Sequence, residues 1–283
     1  IAVIGAPAAD PFGNANGLSG DSACGLLGFA LADSQYADKV VVVTDQPVEF
    51  PCIPWQIQGN YVDYVVEVEK LGDPSQIISG TTDSTASFIA TGASQVGEAV
   101  TALGSTLVLK IIATTPVTDM RYGIYSQPLG EHWLVGGASN SGGAVLQHFF
   151  SNQQMAQLES QLQPDAPTGL DYYPLLTKGE RFPFNDSELL PRLSPKPATD
   201  WQFFQGLLEG IATIEQCGYQ RLTESGAPWP SSIRTTGGGA SNSAWTQIRA
   251  RLLNVPLLPV DHSEAAFGAA RLARQAITSR SPS

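Results

Sequence analysis

Apolar positions along this chain fall into two patterns that change near residue 79. In the first part, Ile1–Ala6 and Tyr61–Val68 read as strands, and K-V-V-V-V-T at Lys39–Thr44 is apolar on both faces, as a buried parallel strand is. Pro7–Ser22 is a Gly-, Asn- and Asp-rich loop, Ala23–Asp33 is small and apolar at helical spacing, and Pro47–Pro54 is a proline-interrupted connection. That alternation predicts α/β architecture. From Ser79 on, helices are expected over Ser84–Gly92, Gly143–Glu159, Trp201–Ser225, Ser243–Leu253 and Ser263–Thr278. Strands are expected over Glu98–Leu103, Thr106–Thr114, Gly123–Gln127, His132–Val135 and Ser232–Thr236, with Gln163–Pro197 mostly loop. The expected division is residues 1–78 and residues 79–283.

Composition narrows the partners more than the fold. With 42% hydrophobic and 14% charged residues over 283 positions, the chain can build one large or two ordinary cores. A net charge of −11 argues against nucleic acid or an anionic membrane surface as partner. An anionic small molecule would need local cations or helix N-termini to overcome that field. No apolar run reaches the roughly 18–20 residues of a membrane-spanning helix. Cys24, Cys52 and Cys217 are widely spaced, with no C-x-x-C and only three histidines beside them, so reduced buried thiols in a cytoplasmic protein are expected rather than a zinc site or disulfide framework. The chain opens at Ile1 on an apolar segment, as a piece cut from a longer protein would.

The candidate chemistry lies between Ser79 and Ser105. There S-G-T-T-D-S ends the apolar Gln76-Ile77-Ile78 and presents one acid, Asp83, ahead of an Ala-rich helix whose positive end favours a carboxylate. About twenty residues on, T-A-L-G-S-T ends a second apolar run in a loop of small hydroxylated residues. A carboxylate that accepts a proton, next to N–H groups and hydroxyls that hold phosphates, is what phosphoryl transfer to a sugar hydroxyl requires. An Asp in this position is more often a helix cap, so the assignment depends on the rest of the chain. The triplet Gly237–Gly239 allows close backbone approach to a ligand, and a helix from Ser243 would offer free N–H groups.

These words, in this order, resemble the C-terminal domain of the FGGY carbohydrate kinases, which has the actin/hexokinase-like (ribonuclease-H-like) ATPase fold. The resemblance places Asp83 (G-T-T-D-S) at the catalytic base and Gly104, Ser105 and Thr106 (A-L-G-S-T) at the phosphate loop. G-G-A-S-N-S-G-G-A-V-L-Q implies nucleotide contacts from Gly143 and Gln147. G-G-G-A-S-N-S-A-W implies them from Gly238, Gly239, Ala240, Ser241 and Asn242, and S-E-A-A-F-G-A-A-R-L-A matches the closing helix. Y-Y-P-L-L-T-K-G-E-R-F-P and L-L-E-G-I-A resemble the shorter pentulose-kinase branch, the D-ribulokinase type.

Residues before about 78 resemble something else. I-A-V-I-G-A-P-A-A-D-P-F-G-N-A-N-G, V-V-V-V-T-D and Y-V-D-Y-V-V-E-V-E-K-L-G-D-P are similar to the α subunit of citrate lyase, a citrate CoA-transferase, so a partial CoA-transferase-like α/β segment is expected. No catalytic residue carries over. The two resemblances meet at S-G-T-T, which both families can supply, and the chain therefore reads as a chimera.

The resemblance implies an ATP- and Mg²⁺-dependent kinase of a ketopentose such as D-ribulose, with Asp83 facing a cleft shared with Gly104–Thr106 and Gly238–Gly239. It names no protein ligand for the metal and no oligomeric state. Such kinases also use an Asp-x-Gly-Thr hairpin from an N-terminal domain, and no D-x-G-T word occurs here, so impaired turnover is expected. The alternatives are a non-catalytic nucleotide-binding module, a lyase or CoA-transferase fragment, and a chain without activity.

Overall fold

A computed structural model describes residues 2–68 and 81–278. Ser79 and Gly80 of the S-G-T-T word, the preceding Gln76-Ile77-Ile78 and the end of the citrate-lyase-like stretch lie outside them. The chain divides into two compact units, one of Ile1–Ser79 with Gln275–Ser283 and one of Gly80–Arg274.

In the first unit, β1 (Ala2–Gly5), a small antiparallel pair β2 (Ala8–Ala9) and β3 (Ala15–Asn16), α1 (Gly28–Tyr36), β4 (Val40–Thr44) and β5 (Tyr64–Glu67) follow in order. The main sheet is β1-β4-β5, parallel throughout. The V-V-V-V run does form a parallel strand, but only one of its faces is fully buried. Val40 and Val42 join Ile4, Leu27, Ile57 and three alanines in a small core. Val41 and Val43 are half-buried, in register with Val3 and Tyr64 and with Gly5 and Val66. The helix expected over Ala23–Asp33 starts five residues later, and Cys24, expected to be buried on it, is exposed ahead of it. Gly25, with φ +97°, explains the late start, since the preceding turn is left-handed there.

The second unit begins with α2 (Asp83–Ala90) and continues through β6 (Glu98–Leu103), β7 (Leu107–Ala113), β8 (Tyr125–Leu129) and β9 (His132–Ala138). After these come α3 (Gly143–Phe149), α4 (Asn152–Glu159), α5 (Asp200–Glu224), β10 (Ser232–Thr236), α6 (Ser243–Leu253), β11 (Leu257–Leu258) and α7 (Ala265–Thr278), the last belonging to this unit as far as Arg274. The sheet runs β11-β10-β6-β7-β9-β8, with β6 to β8 antiparallel and β10 and β11 added parallel at β6. Two elements depart from expectation. The single helix expected over Gly143–Glu159 breaks at Phe150, because Ser151 and Gln154 form a reciprocal capping box that starts α4 afresh. The short edge strand β11 is too brief to carry a period-two signal.

Alternation along β6 and β7 sends Ala99, Leu103, Leu107, Leu109 and Ile111 into an aromatic-rich core with Phe203, Phe204, Leu207, Leu208 and Trp245. Across that core runs an ion pair. Arg249 Nε donates to Glu215 Oε2 (2.6 Å) and both side chains are fully buried. Thr101 Oγ1 donates to the same carboxylate (2.5 Å), and Arg249 also donates to Thr235 Oγ1 (2.8 Å). The pair ties α5 and α6 to β6 and β10, the two strands whose C-terminal ends carry the candidate turns. Among the described residues, no helix is long and apolar enough to cross a membrane.

Candidate functional site

Three turns meet at the end of the sheet. The first is the β6–β7 hairpin, Gly104–Thr106. The second is the Gly142-Gly143 entry to α3, where the Gly143 and Ala144 N–H groups donate to the Gly104 and Ser105 carbonyls (2.8 and 3.1 Å). Gly142 sits at φ 149°, and a Cβ there would lie 2.7 Å from Thr106 Cα, so only glycine admits this approach. The third turn is Gly237 followed by the 3₁₀ turn Gly238–Ser241. Gly237 has φ +84°, and a Cβ on it would meet the Leu103 carbonyl at 2.6 Å. The triplet read as either a ligand turn or a loose connection is thus packed against the hairpin.

Together these turns line a cavity of about 520 Å³. It takes in Gly104, Ser105, Gly143, Gln147, Gly238, Gly239, Ser241 and Asn242 of the residues singled out in the sequence. Thr106, Ala240 and Asp83 do not line it, so the cleft expected to join Asp83 to Gly104–Thr106 and Gly238–Gly239 is not this cavity. Its side wall comes from Met155, Ala156 and Glu159 of α4 and from Phe204, Leu208 and Trp245. That wall had no motif to reveal it; the signal was only the apolar face of each helix.

One expectation is corrected. Two N–H groups at the start of α6 are already engaged, because Asn242 Oδ1 accepts from Trp245 N (2.7 Å) and Glu159 Oε1 accepts from Ser243 N (3.1 Å). Asn242 is therefore the helix cap, with its side-chain oxygen already engaged.

Asp83 occupies the first turn of α2, exposed, with Thr82 rather than Asp83 as N-cap. Asp83 Oδ1 accepts from Ser84 N (2.7 Å). The next side chain, Ser84, lines a second cavity of about 280 Å³ together with Ala102, Val108, Lys110, Thr236 and Gly237. This cavity abuts the same strand ends from the opposite sheet face, since Val100, Ala102, Val108 and Lys110 alternate with the core-facing residues. Lys110 escaped the sequence reading, although a lone charge inside L-V-L-K-I-I-A was the signal that could have found it. It is only 5% exposed, and burial pushes its ammonium down to about 8, with the Asp83 carboxylate opposing that fall.

The described residues hold no cluster of three or more His, Cys, Asp or Glu able to bind a metal. A Mg²⁺ ion needs no such cage when nucleotide phosphates supply ligands. Gly142, Gly143, Gly237 and Gly239 hold these turns against one another with no room for a Cβ, and the exposed backbone that results fits a phosphate chain.

Residues 99–277 match the profile of the FGGY family of carbohydrate kinases, C-terminal domain. The chain belongs to that family. Residues 1–102 match the citrate lyase alpha subunit, so the two matches overlap at 99–102 and the chain joins a citrate-lyase-like segment to an FGGY domain. A gluconokinase of Bacillus licheniformis is 27% identical over 221 residues, covering 70% of this chain and 42% of its own length. The citrate lyase alpha chain of Haemophilus influenzae is 49% identical over 85 residues, 30% of this chain and 17% of that one. A solved xylulose kinase from Brucella ovis superposes with a TM-score of 0.62 at 26% identity, covering 71% of this chain and 43% of its own. The FGGY part has the actin/hexokinase-like ATPase fold, and the chain spans less than half the length of these relatives.

Proposed function

We propose that residues 79–283 form the nucleotide-binding part of an ATP-dependent sugar kinase, preceded by a separate citrate-lyase-like segment over 1–78. The observation that carries this reading is the convergence of Gly104–Ser105, Gly143 and Gly238–Asn242 on one cavity, where Gly143 and Gly239 pack too closely against the hairpin and Trp245 to carry a side chain. Its volume of about 520 Å³ lies within the usual ligand-pocket range. In this reading the β6–β7 hairpin and Gly238–Gly239 cradle the phosphates of ATP. Gln147, Ser241 and the apolar wall of Met155 and Trp245 take the adenosine, with Thr106 and Ala240 acting only through the backbone they hold in place. A Mg²⁺ bound to those phosphates would neutralise part of their charge, since the described residues offer no cluster of their own to hold it. Asp83 takes the proton of the sugar hydroxyl as its oxygen bonds to the γ-phosphorus, and the β–γ bridging oxygen leaves with ADP.

The Tyr172–Pro183 and Leu207–Ala212 words favour a ketopentose acceptor resembling D-ribulose, and the xylulose kinase relationship agrees with a pentulose. The sequence contains no Asp-x-Gly-Thr word, so turnover by this chain is expected to be impaired, since charge stabilisation and positioning dominate phosphoryl transfer. Isothermal titration with Mg·ATP, paired with a coupled ADP-release assay on D-ribulose, tests the reading. Binding with slow turnover supports it; binding without turnover leaves a nucleotide-binding module. No heat on titration with Mg·ATP sinks it.

A further inference from the structure

The second cavity contains a charge for which the proposed chemistry has not yet found a use. Lys110 Nζ donates to Ser84 Oγ (2.7 Å) and to Gln127 Oε1 (3.4 Å). The same Gln127 oxygen accepts from Thr85 Oγ1 (3.3 Å), and Thr82 Oγ1 in turn accepts from Thr85 N (3.4 Å). Thr82, Ser84 and Thr85 are thus linked into one network, which Lys110 and Gln127 anchor to β7 and β8. Asp83 projects from the middle of this clamped turn, its side chain left open to solvent.

Placing an ammonium under a sheet costs free energy, and an apolar residue would fill the site without that cost. The elements around Lys110 present few charges to offset it. From α2 come Asp83, Ser84 and Ser87; from β8, Gln127; from the remaining wall, Thr236 and Ser263. The in-register neighbours on β6 and β9 are Val100 and Gly136. Asp83 is the charged group that acts on Lys110.

We propose that Lys110 is a positioning residue for the Asp83 base: it clamps the first turn of α2 to the sheet through Ser84 and supplies the positive charge against which the carboxylate is held. This rests on the reading of Asp83 as the base. Deprotonation of the ammonium near pH 8 weakens the electrostatic hold, so turnover falls on the alkaline side of that value. Lys110→Arg, which cannot lose its proton, carries activity to higher pH.

The test uses the full chain with its lysines labelled with ¹³C and ¹⁵N, and Lys110 assigned by its loss in Lys110→Met. The Lys110 ammonium titrates near pH 8, and Asp83→Asn moves its midpoint further down because the opposing charge is gone. A midpoint that Asp83→Asn leaves in place overturns the proposal, whether or not the chain turns over. In the D-ribulose assay, Lys110→Met lowers kcat on the order of 100-fold, as a misplaced reacting group does, with the Mg·ATP Kd unchanged within about twofold. If Asp83→Asn abolishes turnover and Lys110→Met leaves kcat and its pH profile unaltered, Lys110 has no positioning role. If Asp83→Asn itself leaves turnover unchanged, the base assignment fails instead.

Discussion

The two units of this chain invert the usual relation between likeness and completeness. The first resembles its relatives more strongly, at 49% identity, yet its core is Ile4, Leu27, Val40, Val42 and Ile57 with small alanines. One face of its parallel sheet leaves Val3 67% and Tyr64 59% exposed. Parallel sheets are ordinarily covered on both faces. The second unit, at 27% identity to a gluconokinase, covers one face of its sheet with an aromatic core that holds a fully buried ion pair, and packs Phe88, Ile112 and Leu134 on the other. Sequence identity measures descent, while a core measures whether enough of the ancestral fold came along. The first unit's match covers 17% of its relative, and its described residues put no layer over the sheet face of Val3 and Tyr64.

The sharpest way to break that comparison is residue-resolved amide exchange. Glu215→Ala leaves Arg249 charged, buried and unpaired, which costs about 3–5 kcal/mol. Protection in β6, β10, α5 and α6 falls by that amount. Equal loss in β1 and β4 would mean that the two units share one cooperative core, against the contrast drawn here.

In the first unit, Ile57→Ala removes one of the few large apolar groups and costs about 2–4 kcal/mol. So small a core has little stability to lose, so β1 and β4 lose all measurable protection and the exposed sheet edges associate. If this variant still protects Val42 and its neighbours against exchange, the first unit is better built than its exposed face indicates.

How much of this was legible beforehand follows the same division. In the second unit β6, β10 and α6 stand where the sequence puts them, β6 and α6 each with buried apolar positions at the spacing of its element and β10 as a short β-branched run paired in register with β6. Gly143 and Gly239 could be singled out because close backbone approach demands glycine there, whereas Gly104 and Gly238 have room for a Cβ and stood out only through their motifs. The break at Phe150 was not legible, since a capping box in the middle of an apolar run competes with propagation of the helix and the winner is set by packing. Neither was the second role of Asn242, whose residue type suits a ligand contact and a cap alike. Lys110 was overlooked because its partners, Ser84 and Gln127, come from distant segments.

A smaller effect distinguishes a residue kept for function from one kept for stability. Lys110 titrates near 8 in the folded chain and near 10.4 when unfolded, so below pH 8 both states carry the proton and burial of the ammonium is a net cost. Between about pH 8 and 10.4 the unfolded chain holds more protons, and stability rises with pH. Lys110→Met removes that slope and raises stability at pH 7 by about 1–3 kcal/mol, less whatever Ser84 loses as a bonding partner. Denaturant unfolding at pH 7 and pH 9.5 reads both effects; a variant less stable than the parent at pH 7 makes Lys110 a structural residue.

Asn242 gives the finest discrimination, because its two roles predict different amounts of loss in different measurements. Its Oδ1 caps α6 through Trp245 N, and Asn242→Ala costs about 1 kcal/mol of helix stability. Asn242→Asp keeps the cap, since a carboxylate oxygen accepts the same bond and suits a helix N-terminus. The residue also lines the 520 Å³ cavity, where a carboxylate would face the phosphates proposed for Gly104 and Gly238. Asn242→Asp should therefore keep stability within about 0.5 kcal/mol of the parent while weakening Mg·ATP binding several-fold. Asn242→Ala should show the reverse, a destabilised helix with a nearly intact Kd. Should both substitutions leave Mg·ATP affinity untouched, this side of the cavity does not hold the nucleotide, and Asn242 contributes only the cap that fixes where α6 begins.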